Sequence, residues 1–393
     1  MKYKNTLSLG LLILVIIILG ILALVHMPGQ KDTLQPQLNK GEKWKIAYYE
    51  GGQYIDFAEN LRGIIKGLGE LGWIQPIHIP EFQDADNAYY IWNYAANNCS
   101  SDYIKFLEKE FWSSSWNDSL REVNRKLFID QLNENEIDLV IAMGTWAGQD
   151  LVNDLHTTPV IVLNSSEPLH AGIISDPNDS GYDNIFVEYD PNRYKKQIEL
   201  FHDFVGFERL GVTFEDSEDG RIYSNIDDLE QISKECGFKL IMCHAPDVSE
   251  DISEEQAFRA VKRCYESLAP MIDALWIGNH FGESPQYLPE ILKPLYEFNI
   301  PTWSSSGEIA VKRGVLMSVT HQNFKEVGKW YAKIIAQIFN GKQPRSIKPY
   351  LEKQMHILFN RETAKRIEFK IPEALLEIAD KIYDTIEGEG RHE

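Results

Sequence analysis

The chain has 393 residues, enough for two domains of roughly 150 residues each plus extensions. An apolar fraction of 44% and a charged fraction of 25% exclude wholesale disorder. A net charge of −20 argues against nucleic acid as a partner, because phosphate binding depends on a surplus of Lys and Arg.

Lys2 and Lys4 precede an uncharged run over 7–25. The run is longer than a signal-peptide core of about 7–15 residues and close to the roughly 20 needed to span a bilayer. Cleavage after Ala23 would put Ile21 where a small residue is wanted, and no cysteine follows to accept a lipid. The expectation is an uncleaved signal anchor, residues 1–26, with its basic end in the cytoplasm. The rest is exported whether the run is kept or removed. Residues 27–43 are polar and aperiodic and read as a tether.

The folded part is expected to start at Trp44, with a strand over 44–49, a loop over 51–54 and a helix over 55–71. In that helix Phe57, Leu61, Ile64, Ile65, Leu68 and Leu71 recur at spacings of three and four. Gly67, Gly69 and Gly72 form a GxGxxG at its end. A dinucleotide motif works at the start of a helix, where free N–H groups face a pyrophosphate, and these glycines instead lead into a strand expected over 76–79. No cofactor is expected. The stretch 81–136 is dense in aromatic residues and predicts helices over 101–112 and 119–132. It reads as extra core or a helical cap on the first lobe, or else as a docking or lid surface.

The organising stretch is 137–174. It predicts a buried strand (138–143), a Gly-Thr-Trp-Ala-Gly turn, a helix to 155 and a second buried strand (159–163), a βαβ unit. Ligands in open parallel sheets sit beyond the carboxyl ends of the strands. Loops 144–148 and 164–168 carry hydroxyls and free N–H groups, with neither a metal cluster nor a nucleophile and base, which points to binding rather than chemistry. The rhythm restarts after 190, with strands over 209–214, 239–243, 274–277 and 302–304 between helices over 224–236, 254–269 and 286–298. The tail holds strands over 315–320 and 356–360, a helix over 324–340, and two helical pieces over 361–386. The chain contains no GxSxG, HExxH, P-loop or EF-hand loop. Cys99, Cys236, Cys243 and Cys264 lack CxxC spacing. In an oxidising compartment one bridge among the last three is expected, and otherwise they are small buried apolar groups.

The succession KIAYYEGGQ, FAENLRGIIKGLGELGW, DLVIAMGTWAGQDL, TPVIVLNSSEPLHAGII, RLGVTFEDSED, IPTWSSSGEIAVKRG and ILFNRETAKRIEFKIPEALLEIADKI resembles the substrate-binding components of ABC transporters of the tryptophan/tyrosine type. The resemblance spans about 44–80 and 137–386. It implies an α/β fold of the type I periplasmic binding protein class, two Rossmann-like lobes around a ligand cleft. The N-terminal lobe would comprise 44–168 with about 308–345, and the C-terminal lobe 169–307 with about 346–388. It also implies an extracytoplasmic solute receptor without catalysis, partnered by a permease or, alternatively, a membrane-anchored sensing subunit partnered by a signalling protein. A two-lobed transferase is the remaining alternative.

The candidate ligand residues follow the strand ends. Gly144, Thr145 and Trp146 begin a helix and offer N–H groups to a carboxylate, against an ordinary cap; Trp146 also offers a ring for stacking. Ser165, Ser166 and Glu167 offer partners for an amine, against turn chemistry. Gln53 and Tyr54 follow the first strand. The second lobe contributes Glu215, Asp216, Ser217, Asn279, His280, Ser304, Ser305 and Ser306, of which the acidic run also reads as a solvated face. By position in the family, His321 and Gln322 close the list. The family's Asp is absent there, with Gln322 or Asn323 in its place. The expected ligand is a small molecule with an anionic end, an amine and an aromatic or apolar body.

If 7–25 is an anchor, mass spectrometry of the exported protein returns an N-terminus that retains it. A mature N-terminus near residues 24–30 would refute the anchor.

Overall fold

The computed structural model describes residues 34–82, 84, 87–249, 251–320, 324–351 and 356–388. The expected anchor over 7–25, and the candidates His321 and Gln322, lie outside the described residues. Among the described residues no helix is long and apolar enough to cross a membrane.

The first lobe is built on β1 (Trp44–Glu50). Ile46 and Tyr48 face one core while Ala47 and Tyr49 face the other, the period of two that a strand buried on both faces requires. It is followed by α1 (Ile55–Glu70), α2 (Ala88–Asn98), β2 (Ile104–Ser113), α3 (Asp118–Leu132), β3 (Leu139–Met143), α4 (Gly144–Leu151), β4 (Val160–Leu163) and β5 (Ile185–Val187). The sheet is parallel throughout, in the order β2-β1-β3-β4-β5.

The chain then crosses over into α5 (Arg193–Val205), β6 (Arg209–Phe214), α6 (Glu218–Tyr223), α7 (Ile226–Cys236), β7 (Lys239–His244), α8 (Glu254–Leu268), β8 (Ala274–Ile277), α9 (Leu288–Ile291), α10 (Lys293–Glu297), β9 (Thr302–Ser304), α11 (Glu308–Lys312) and β10 (Met317–Thr320). It returns to the first lobe as α12 (Phe324–Phe339). It ends in the second as β11 (His356–Asn360), α13 (Arg361–Arg366), α14 (Glu373–Ile378) and β12 (Ala379–Tyr383). The second sheet runs β12-β11-β10-β9-β8-β6-β7, with β11 antiparallel to β10. The first and last crossovers are joined where the Tyr189 N–H donates to the Pro349 carbonyl at 2.9 Å.

Helix α12 returns by backbone contact with α1. A Cβ at Gly328 would fall 2.1 Å from the Gly63 carbonyl carbon, and one at Gly67 would fall 2.9 Å from the Gly328 carbonyl oxygen. Gly67 of the GxGxxG is therefore a packing glycine, and its requirement is space for a neighbouring helix.

Several expectations change. Residues 101–112 are not helical: 104–113 form β2, the edge strand beside β1. The ladder pairs Ile46 with Phe106 and Tyr48 with Phe111, so a bulge in β2 interrupts the alternation and imitates helical spacing. Residues 76–79 carry no ladder, since β2 holds that place. The aromatic stretch is thus extra core of the first lobe, with 104–113 in its sheet and Trp92 and Phe106 in its interior, and not an appended cap. The tether cannot extend to Lys43, because Trp73 Nε1 donates to the Leu34 carbonyl at 3.0 Å and Asn39 Nδ2 to Asp138 Oδ1 at 2.8 Å. The lobe boundaries move as well: β5 pairs with β4, and β10 with β9 and β11. This assigns 169–187 to the first lobe and 308–320 to the second. The last piece of the tail is a strand, β12. A disulfide joins Cys243 at the end of β7 to Cys264 on α8, leaving Cys99 and Cys236 as free thiols.

Gly328→Val should lower the free energy of unfolding by about 2–3 kcal/mol or more, since neither helix backbone can move aside without opening the core. Urea unfolding followed by fluorescence measures it, and a variant as stable as the parent would contradict the close packing.

Candidate functional site

Helices cover both faces of each sheet, so the carboxyl ends of the strands are the edges left open. The loops after β1, β2, β3, β4, β6, β7, β8 and β9 meet around a cavity of about 490 Å³ between the lobes, well within the size of small-molecule sites.

The first-lobe wall is set by a tryptophan. Gly51 and Gly52 leave room for the Trp116 indole, and a Cβ at Gly52 would fall 2.5 Å from that ring. Trp116 Nε1 donates to the Gln53 carbonyl at 3.0 Å. Ser115 and Trp116 take left-handed φ values of 51° and 58°, a strained pair of the kind found where position matters more than local stability. The ring meets Trp146 edge-on at 5.4 Å and, across the cleft, Phe281 at 5.7 Å.

Two polar contacts also cross the cleft. The Tyr54 hydroxyl donates to Asn279 Oδ1 and Trp146 Nε1 donates to Asp219 Oδ2, each at 3.4 Å. Trp146 is braced from behind by the Arg121 guanidinium, 4.5 Å from its ring centroid. Arg121 is fixed in turn by Asp150 at 3.0 Å and by Gln149 Oε1 at 2.9 Å, and Asp150 accepts from the Tyr49 hydroxyl. At the start of α4, the Thr145 hydroxyl oxygen accepts from the Ser166 N–H at 3.1 Å, tying the two loops of the βαβ unit together.

On the second lobe, Ser217 donates to Glu215 Oε2 at 2.7 Å and caps α6 by accepting from the Gly220 N–H. His280 is buried, with Nδ1 accepting from the Gly282 N–H at 3.0 Å and Nε2 facing the Ala245 carbonyl at 3.2 Å. Both ring nitrogens are engaged, so His280 shapes the loop that carries Phe281. Asp247 accepts from the Val248 and Phe281 N–H groups, and burial raises its pKa. Glu283 accepts from the Tyr265 hydroxyl at 2.9 Å, and burial pushes its carboxyl up to about 8.

Tyr54, Gly144, Thr145, Trp146, Ser165 and Ser166 line this cavity, as do Glu215, Ser217, Asn279, His280, Ser305 and Ser306. Four other sequence candidates do not. Gln53 is exposed and contributes only its carbonyl, to Trp116. Asp216 points into solvent, its side chain 80% exposed. Ser304 is buried, accepting from the Ser306 N–H. Glu167, with a left-handed φ of 38°, lies in a second cavity of about 510 Å³ beside the crossovers with Glu188, Tyr189 and Tyr350. There burial first, and Asp228 of the second lobe next, push its carboxyl up to about 8.

Sequence reasoning missed Asp56, Trp116, Arg193, Asp219, Asp247, Phe281 and Glu283 among the lining residues. Only Trp116 had a signal, the aromatic surplus of its region. Arg193, the first residue of α5, sits 5.2 Å over the Tyr194 ring, and its buried Nε has no hydrogen-bond partner among the described residues.

Residues 108–383 match the family model described as ABC transporter substrate binding protein, well over half of the 393. The chain belongs to that family. A conserved domain protein of Vibrio cholerae is 17% identical with a TM-score of 0.63, and an ABC domain from Streptococcus pneumonia solved with L-Trp is 20% identical at 0.62. Each alignment covers 87% of this chain and 100% of the other. A ligand-free, open substrate-binding protein with adhesive properties from Clostridium difficile is 18% identical with a TM-score of 0.56, over 86% of this chain and 99% of its own. At these identities the likeness is one of fold. No curated protein matches. As a substrate-binding protein, the chain belongs with generally extracytoplasmic receptors that bind a small ligand and serve an ABC permease. Membership of this family implies solute binding without catalysis.

Glu167 bears on pH dependence. Its folded pKa of about 8 lies above the usual 4.3 of an unfolded glutamate. The native state therefore holds a proton that the unfolded chain releases, and the stability it confers is full below about pH 4 and lost as pH rises through 8. Glu167→Gln, which has no proton to lose, should raise the melting temperature by a few degrees at pH 9 and leave it unchanged at pH 4. Equal shifts at both values in calorimetry would contradict the buried carboxyl.

Proposed function

We propose that this substrate-binding protein closes its lobes on a single amine-bearing small molecule, an amino acid or close relative, for delivery to an ABC permease. The observation that carries the reading is the set of side-chain contacts across one cleft cavity, Trp116 with Phe281, Tyr54 with Asn279 and Trp146 with Asp219. Each joins opposite lobes, and each is broken when the lobes separate, as expected of hinge closure.

The lining supports the ligand class. The N–H groups at the start of α4 and the Arg193 guanidinium offer partners for an anionic group. Carboxylates from the second lobe offer partners for an amine. Trp116, Trp146 and Tyr54 flank an apolar body. Ser165, Ser166, Ser217, Ser305 and Ser306 supply hydroxyls for orientation. Residues 7–25 would tether the receptor to the membrane face from which it delivers.

Solution scattering should show a smaller radius of gyration at ligand saturation than without ligand, and an unchanged radius would count against closure. Trp116→Ala, which removes the Phe281 contact, should weaken binding by about ten- to a hundredfold in titration calorimetry. Unaltered affinity would remove Trp116 from the mechanism.

A further inference from the structure

The charges around the cleft are lopsided. From the second lobe Glu215, Glu218, Asp219, Asp247 and Glu283 line the cavity, and Asp56 and Asp118 line it from the first. Against these seven carboxyl groups stands, among the described lining residues, one guanidinium, Arg193. Both nitrogens of His280 are engaged by backbone. Glu283 is largely protonated near neutral pH, and burial raises Asp247 as well. Asp56 lies in the field of Arg193. With those three set aside, Asp118, Glu215, Glu218 and Asp219 still face the cleft with no cation among the described lining residues to balance them.

The apolar part of the wall is of the kind that favours the same sign. Tyr54 meets Phe57 edge-on at 5.3 Å, Phe57 meets Trp116 at 6.4 Å, and Trp116 meets Phe281 at 5.7 Å. Trp146 already has Arg121 on its ring, which leaves Trp116 and Tyr54 as the electron-rich rings for a ligand. An aromatic wall beside carboxylates is the environment in which an organic ammonium is stabilised by both ring quadrupoles and ion pairing. The Glu283 carboxyl leaves one oxygen open to a donor from the ligand. It is 4% exposed, and its Oε2 has no hydrogen-bond partner among the described residues.

We propose that the ligand carries net positive charge: an organic amine on a flat or apolar body, without a carboxylate to cancel its charge. This rests on the reading that the cleft closes on an amine-bearing molecule and narrows it from an amino acid to a close relative that lacks the carboxylate, Arg193 being answered by Asp56 rather than by the ligand. A zwitterionic amino acid would bring its carboxylate into a cavity where acidic groups already outnumber the single guanidinium. The decarboxylated amine of the same shape avoids that repulsion and meets carboxyl groups that outnumber Arg193.

The test uses the described protein with a panel of matched probes in calorimetry and thermal shift: tryptamine, tyramine, phenethylamine, choline and cadaverine against L-tryptophan, L-tyrosine and L-phenylalanine, with indole-3-acetate, glucose and adenosine as anionic and neutral controls. At least one amine should bind ten times more tightly than any of the amino acids, with an affinity that falls as salt is raised. The double variant Glu218→Gln, Asp219→Asn should weaken that amine by tenfold or more while weakening indole-3-acetate not at all. If an amino acid binds as tightly as its amine, or only a neutral or anionic probe binds, the cationic class is overturned while solute binding stands. If no probe shifts the melting temperature or the radius of gyration, the closure reading and this one fall together.

Discussion

A parallel sheet buries both faces under helices and keeps its carboxyl-end loops free, and this constraint fixes where everything else in the protein happens. Each lobe obeys it. In the first, Ile141 and Val140 of the same strand belong to opposite cores. In the second, Trp276 and Leu275 do the same. No face of either sheet is left for a ligand, so the polar loops after β1, β3, β4, β6 and β8 are where one can be held. The two lobes point those ends at each other.

Closure then depends on residues that do not belong to the sheets. Trp116 stands on a left-handed backbone beside two glycines, and its ring reaches the opposite lobe. Trp146 is braced by Arg121 so that its indole N–H faces Asp219. Each rigid aromatic is positioned by its own lobe and meets a residue of the other. The crossovers sit on the other side of that movement. There Glu167 and Asp228 come from opposite lobes into buried positions, and burial first and Asp228 next raise the Glu167 carboxyl.

The passage of the chain between lobes is pinned by small residues and backbone. Helix α12 returns against α1 through Gly328, Gly63 and Gly67. The Tyr189 N–H to Pro349 carbonyl bond ties the first crossover to the last. Glu188, just before the first crossover, accepts from the Tyr331 hydroxyl of α12 at 2.5 Å and from the Asn164 N–H of a cleft loop. Glu188 thereby joins α12 to a loop adjoining the site.

The sequence by itself determined the alternation of buried strands and amphipathic helices, the βαβ unit around Gly144, and most of the loops that line the cavity. These depend on periods of two and 3.6 residues and on turn chemistry, which are local. It could not determine β2, because the bulge between Phe106 and Phe111 erased the local period and only pairing with β1 defines that strand. It could not separate Glu167 from Ser166, one residue apart, because a left-handed turn at Glu167 sends the two side chains to different cavities. Asp219 and Phe281 take their role from lying opposite residues 70 or more positions away, a proximity that only the packing of two lobes creates.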